Sequence, residues 1–178
     1  EVALEKTLQT VAVGQTEKQI EWVLVNQLFA AGAGGLAFDP IVAAGDNSAQ
    51  PHAQARADYK IKPGDALLLD FGASYAGYNA DITRTFFVKS VSEYDRAFYN
   101  TVLAANAAGK AATIAGTTAH AVDDSVQRVL EQSQFTDFAR HKTGHGLGLD
   151  VHEAPQIMRG NDAILLENMV FTVEPGLY

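Results

Sequence analysis

The sequence predicts an α+β fold built from two similar halves. Two stretches of the first half return in the second, in the same order. "VGQTEKQIEWVL" is matched by "AGTTAHAVDDSV", with Gly14 over Gly116 and Thr16 over Thr118. "GDALLLDFG" is matched by "NMVFTVEPG", with Asp70 over Glu174 and Gly72 over Gly176, and His52 falls loosely over His152. Together these define two α/β halves facing each other across a pseudo-twofold axis, with a natural ligand site between them.

The elements follow from local signals. Residues 1–11 read as a helix. A second helix begins at the N-cap Thr16 and runs to about Ala31, where the glycines from Gly32 to Gly35 stop it. "FDPIVAAG" is a short strand leading into a loop with His52. A hairpin over 65–88 follows, then helices over 93–112 and 117–132. "GHGLGLDVHEAP" reads as a Gly-rich loop or irregular strand, and "NMVFTVEPG" as a second buried strand.

The hairpin is the informative element. Leu67, Leu68 and Leu69 follow the turn signal Lys62-Pro63-Gly64-Asp65 and predict a strand covered on both faces. A second run from Tyr78 to Val88 is rich in Thr, Phe and Ile. With Tyr75 and Ala76 as a two-residue loop, Asp70 lies opposite Asp81. A shift by two makes them diagonal neighbours on the same face, and only an odd shift separates them. Two buried carboxylates that close repel strongly, so one must take up a proton or both must hold a cation. The plainer alternative pairs Asp81 with Arg84 and leaves Asp70 to cap a turn. The kinase reading of "DFG" fails, because neither a Gly-rich loop nor an "HRD" accompanies it.

Composition narrows the field. The chain has 178 residues, is 47% hydrophobic and 19% charged, and carries a net charge of -8, which argues against nucleic acid as the main partner. With no cysteine, thiolate ligands and nucleophiles are excluded. No apolar run approaches membrane-spanning length. Three of the five histidines (His141, His145 and His152) fall within "HKTGHGLGLDVHE", interleaved with glycines that permit close backbone approach to a bound group. Glu174 ends an apolar run in the position that Asp70 holds in the other half. The candidate residues are Asp70, Asp81, His145 and Glu174, then His52, His141, His152 and Glu153. Carboxylates with an imidazole and no sulfur suit hard or borderline divalent cations such as manganese, cobalt or zinc. Several carboxylates around one imidazole suit two ions about 3.5–4 Å apart, which serve hydrolysis.

These residues and their flanks resemble the pita-bread metallopeptidases: aminopeptidase P, prolidase and their relatives. The likeness rests on "FDPIVAAGDNSAQPH", "DFGASYAGYNADITRTF", "HKTGHGLGLDVHEAP" and "FTVEPGLY", and it covers nearly the whole chain. "TRTF" and "DVHEAP" resemble the Xaa-Pro branch more than methionine aminopeptidases. The resemblance implies a pita-bread (creatinase/aminopeptidase-type) fold, two pseudo-symmetric α/β halves around a curved antiparallel sheet. It implies hydrolysis of the Xaa-Pro bond at peptide N-termini by a hydroxide activated between two divalent ions, manganese foremost.

Carried over by position, Asp70 ligates one ion, Asp81 bridges both, and His145 and Glu174 complete the set, with Glu174 also handling the proton of the nucleophile. His52 and His152 match substrate-side histidines, and His141 a more variable outer position. The expected partners are peptides with proline second, with neither nucleic acid nor membrane. A homodimer and a cytoplasmic location are expected of the full-length protein. The family's fifth ligand, a bridging Glu on a further strand, has no counterpart before Tyr178. The chain is therefore expected to be a trimmed catalytic domain, inactive by itself, without the N-terminal domain and final strand. The alternatives are a metal-free creatinase-like amidinohydrolase and a non-catalytic binding module on the same fold. Intact ligand positions argue against both.

Overall fold

A computed structural model describes residues 1–139 and 141–178, which divide into two compact units, Glu1–Ser92 and Glu93–Tyr178. The first unit opens with α1 (Val2–Leu8) and α2 (Glu17–Ala30). Thr16 caps α2 as expected: its hydroxyl accepts from Gln19 N at 3.1 Å, and the Gln19 side chain accepts from Thr16 N at 2.9 Å. Ile20, Leu24 and Leu28 lie four apart on one stripe of α2 and are buried. Five strands follow: β1 (Gly35–Leu36), β2 (Ile41–Ala44), β3 (Ala66–Phe71), β4 (Ala73–Tyr75) and β5 (Tyr78–Asn79). With β6 (Ile82–Phe87) they form two small antiparallel sheets, ordered β2-β3-β6 and β1-β4-β5.

Two expectations about the hairpin are corrected. First, β3 is not covered equally on both faces. Leu67, Leu69 and Phe71 are buried against the α2 stripe, while Leu68 and Asp70 on the opposite face are half-buried. Second, the loop lies one residue later than Tyr75-Ala76. Tyr75 pairs with Tyr78, and the two loop residues Ala76 and Gly77 have φ of 50° and 85°. Positive φ at both positions is what a hairpin loop matched to strand twist requires. The register shifts by two, so Asp70 faces Thr83 and Asp81 becomes its diagonal neighbour on the same face.

An ion pair between buried Glu17 and half-buried Arg56 ties this unit together. Glu17, fully buried at the start of α2, accepts from Ala44 N (2.8 Å), Asn47 Nδ2 (3.0 Å), Arg56 N (2.7 Å) and the Arg56 guanidinium (2.9 Å). One carboxylate thus holds the end of β2, the 3₁₀ turn Gly45–Ala49 and the return at Arg56, which bracket the loop carrying His52. Donating hydrogen bonds to Glu17 pushes the Arg56 guanidinium further up from its already high pKa.

The second unit holds α3 (Glu93–Ala112), α4 (Ala119–Glu131), β7 (Gly144–Gly146) and β8 (Glu153–Ile157). It repeats the first in detail. Thr118 caps α4 by accepting from Ala121 N at 3.0 Å, and Val122, Val126 and Leu130 form the buried stripe. Gly14 and Gly116, at φ of 92° and 91°, donate to Ile61 O and Leu165 O. Gly109 lets α4 approach α3: a Cβ there would lie 2.6 Å from Val126.

"NMVFTVEPG" departs from the expected buried strand. Glu167–Val170 are exposed, and the segment from Phe171 to Gly176 is only half-buried. It runs antiparallel to β7, with Leu147 N, Thr172 N and Glu174 N bonding Val170 O, His145 O and Thr143 O. The ladder is irregular because His145 N donates to the Thr172 hydroxyl, at 3.0 Å, where a regular pair would use the Thr172 carbonyl.

Breaking a buried charge pair by removing one partner costs about 3–5 kcal/mol. Glu17→Ala should therefore lower stability by about that amount, read as a shift in urea midpoint. Removing exposed Glu5 should leave the midpoint within about 0.5 kcal/mol of the starting protein.

Candidate metal centre

In the first unit the acids sit where the hairpin opens. Asp70 is half-buried on β3 and its Oδ1 accepts from the Thr83 hydroxyl at 2.9 Å. Asp81, also half-buried, lies between β5 and β6. Backbone crowding explains the glycine between them. A Cβ on Gly72 would lie 1.8 Å from Ala80 O and 2.9 Å from the Ala37 side chain. Arg84 is exposed and donates to Thr83 O at 2.7 Å. His52 is exposed on the loop held by Glu17 and Arg56.

In the second unit the chemistry gathers around His145, which is 3% exposed on β7. Its Nδ1 lies 3.0 Å from Gly146 O, and its Nε2 2.9 Å from Glu174 Oε1. A carbonyl oxygen only accepts, so Nδ1 carries the hydrogen. Nε2 therefore turns a lone pair toward a carboxylate unless it too is protonated. Two acceptors facing at that distance call for a proton or a cation. The His152 ring stands 4.2 Å from that of His145, centroid to centroid.

Burial pushes the Glu174 carboxyl up. Hydrogen bonds from His145 and Thr172, and the charges of His145 and His141, outweigh burial and hold it below its ordinary value. Glycines again permit the approach: a Cβ on Gly144 would lie 2.0 Å from Thr172 O, and one on Gly146 2.2 Å from Ala154 O.

The other two candidates are held by contacts of their own. His141 is exposed and contacts Lys142 O and the Tyr178 ring. Glu153 accepts from Asp150 N and braces its own turn. Sequence reasoning missed Thr83, Thr172, Glu17 and Arg56. Thr172 had a legible signal, because residues two apart on an extended segment share a face and it precedes Glu174 by two.

The donor set of carboxylates and an imidazole fits a hard or borderline divalent cation. Mixed helices and antiparallel strands presenting such a donor set define an α+β protein with a candidate metal centre. The chain matches Metallopeptidase family M24 over residues 1–178 and belongs to that family.

A putative Xaa-Pro aminopeptidase of Mycoplasma pneumoniae is 43% identical over 93% of this chain and 47% of its own length. The Xaa-Pro dipeptidase of Pyrococcus furiosus is 36% identical over 99% of this chain and 50% of its own. Among solved structures, the X-Pro aminopeptidase of Thermotoga maritima is 40% identical with a TM-score of 0.95, covering 99% of this chain and 50% of that one. The prolidase of Pyrococcus furiosus, 36% identical, gives 0.94 with 99% and 52% covered. The fold is thus the pita-bread fold, and the chain spans about half the length of the curated relatives it matches. Membership of the family implies divalent metal ions.

The lowered Glu174 has a consequence for the metal-free protein. A carboxyl depressed in the folded state contributes stability that is fully present above its ordinary pKa of 4.5 and is lost as pH falls through the lowered value. Urea midpoints should therefore decline below about pH 4.5, and Glu174→Gln should flatten that decline.

Proposed function

We propose that this chain supplies the catalytic site of a metallopeptidase that cleaves the Xaa-Pro bond at the N-terminus of peptides. Two divalent ions, manganese foremost, would be held by Asp70, Asp81, His145 and Glu174. The observation that carries the reading is the contact of buried His145 Nε2 with Glu174 Oε1 at 2.9 Å, which calls for a proton or a cation between them. Membership of the metallopeptidase family and the Xaa-Pro names of its relatives support it. When bound, such ions lower the pKa of water and polarise a carbonyl.

The chain's own residues supply the rest. Glu174 takes a proton from the attacking water, whose oxygen joins the scissile carbonyl carbon. The proton then passes to the proline nitrogen as the C–N bond breaks. His152, beside His145, and His52, on the clamped loop, donate hydrogen bonds to the scissile peptide group as its oxygen becomes negative. The substrate is a peptide with proline second. Among the described residues no helix is long and apolar enough to cross a membrane. A cytoplasmic homodimer is part of the same proposal.

The direct test is hydrolysis of Gly-Pro and of longer Xaa-Pro peptides by the intact protein with manganese, beside the same peptides with alanine second. Equal cleavage of both sets, or none, would overturn the reading. Asp81→Asn should abolish most turnover and at least one bound ion, measured together by elemental analysis and assay. A variant with full metal content and full turnover would remove Asp81 from the site.

His152→Ala should keep its metal and lose about 2.7–4 kcal/mol of transition-state stabilisation, a drop in kcat of roughly a hundred to a thousandfold. Loss of metal in that variant would instead make His152 a ligand.

A further inference from the structure

The Thr172 hydroxyl occupies an unusual place. It stands where the Thr172 carbonyl would accept in a regular ladder, and takes the His145 N–H at 3.0 Å. The same hydroxyl lies 2.7 Å from Glu174 Oε1. A hydroxyl has one hydrogen, and an N–H that points at its oxygen uses a lone pair. The His145 carbonyl, 3.4 Å away, already accepts from Thr172 N at 2.8 Å. The hydrogen is therefore directed at the carboxylate, the shorter and charge-assisted contact.

A chain of fixed direction results: His145 N–H to Thr172 Oγ1, then Thr172 O–H to Glu174 Oε1. It joins the backbone of one proposed ligand to the side chain of another. The first unit uses the same device by a different route. There the Thr83 hydroxyl reaches Asp70 Oδ1 at 2.9 Å across the β3–β6 ladder. The carboxylates that receive a threonine hydroxyl are the two that correspond in the internal repeat.

We propose that Thr172 is a positioning residue for the metal site, fixing Glu174 relative to His145, and that Thr83 does the same for Asp70. This rests on the assignment of these three residues as ligands. Each hydroxyl bonds one carboxylate oxygen and fixes the rotation of the carboxylate, so its remaining lone pairs meet an incoming cation already aimed. Neither threonine touches the cation or the substrate.

The test uses the intact protein and manganese(II) alone as the probe. Affinity is measured by competition with a chelating dye in Thr172→Val, Thr172→Ser and Thr83→Val. Valine keeps the shape and removes the hydroxyl, and serine keeps the hydroxyl. Removing such outer partners costs about 10–100-fold in metal affinity or activity. Both valine variants should weaken manganese binding by about that factor, and serine should restore it to within a few-fold of the starting protein. Melting of the metal-free protein controls for folding.

If the valine variants bind manganese as the starting protein does, the proposal is overturned. It is also overturned if serine fails to rescue while melting like the starting protein, since shape rather than the hydroxyl would then matter. Should Thr172→Val not fold, Thr83→Val and Thr172→Ser decide alone. A starting protein that binds manganese but leaves Xaa-Pro peptides intact refutes the peptidase reading while the affinities still judge the threonines. One that binds no manganese refutes both.

Discussion

The register of the β3–β6 ladder governs the first unit. It sends Leu67, Leu69 and Phe71 into the core formed with α2, and leaves Asp70 and Asp81 on the opposite face. A slip of one residue would exchange the two sets and place a carboxylate against Ile20 and Leu24. Hydrophobic burial therefore selects the register, and the position of the acids follows from it. The Ala76-Gly77 loop fixes the same register from the other end, through two residues with positive φ.

The second unit reaches a similar result with less regular structure. Its helix cap, buried stripe and glycine turn match those of the first unit almost contact for contact. Its ladder does not, because the Thr172 side chain displaces its own carbonyl as an acceptor. The strand loses regularity there, and the backbone N–H of a buried histidine and a carboxylate are tied to one hydroxyl. Local strand geometry and site geometry are in competition at Thr172, and the site prevails.

Much of this was legible in the residues. Thr16 announced its helix, because a threonine ahead of an apolar stripe has a specific bond to make. The internal repeat located corresponding turns and acids, and its matched Gly14 and Gly116 both take positive φ. The hairpin loop was misplaced by one residue because Ala76 carries no composition signal for positive φ. Only the neighbouring Gly77 and the pairing of Tyr75 with Tyr78 decide it. Glu17 was not legible as a buried anchor. A glutamate in the first turn of a helix ordinarily faces water, and its partner Arg56 lies 39 residues away. The geometry around His145 was out of reach for the same reason, since it depends on side chains that meet only after the chain has folded.

Gly72, Gly144 and Gly146 each pass so near another carbonyl oxygen that even a methyl group would collide with it. Their consequence concerns inheritance rather than chemistry. Every substitution of glycine adds at least that carbon, so these positions have no conservative replacement. An aspartate or histidine of the candidate centre can be exchanged for a residue of similar size and leave the backbone undisturbed. A change at one of the three glycines disturbs the backbone itself and leaves less for later change to restore. The durable record of ancestry in this chain is then held as much by three residues without side chains as by the acids and histidine they flank.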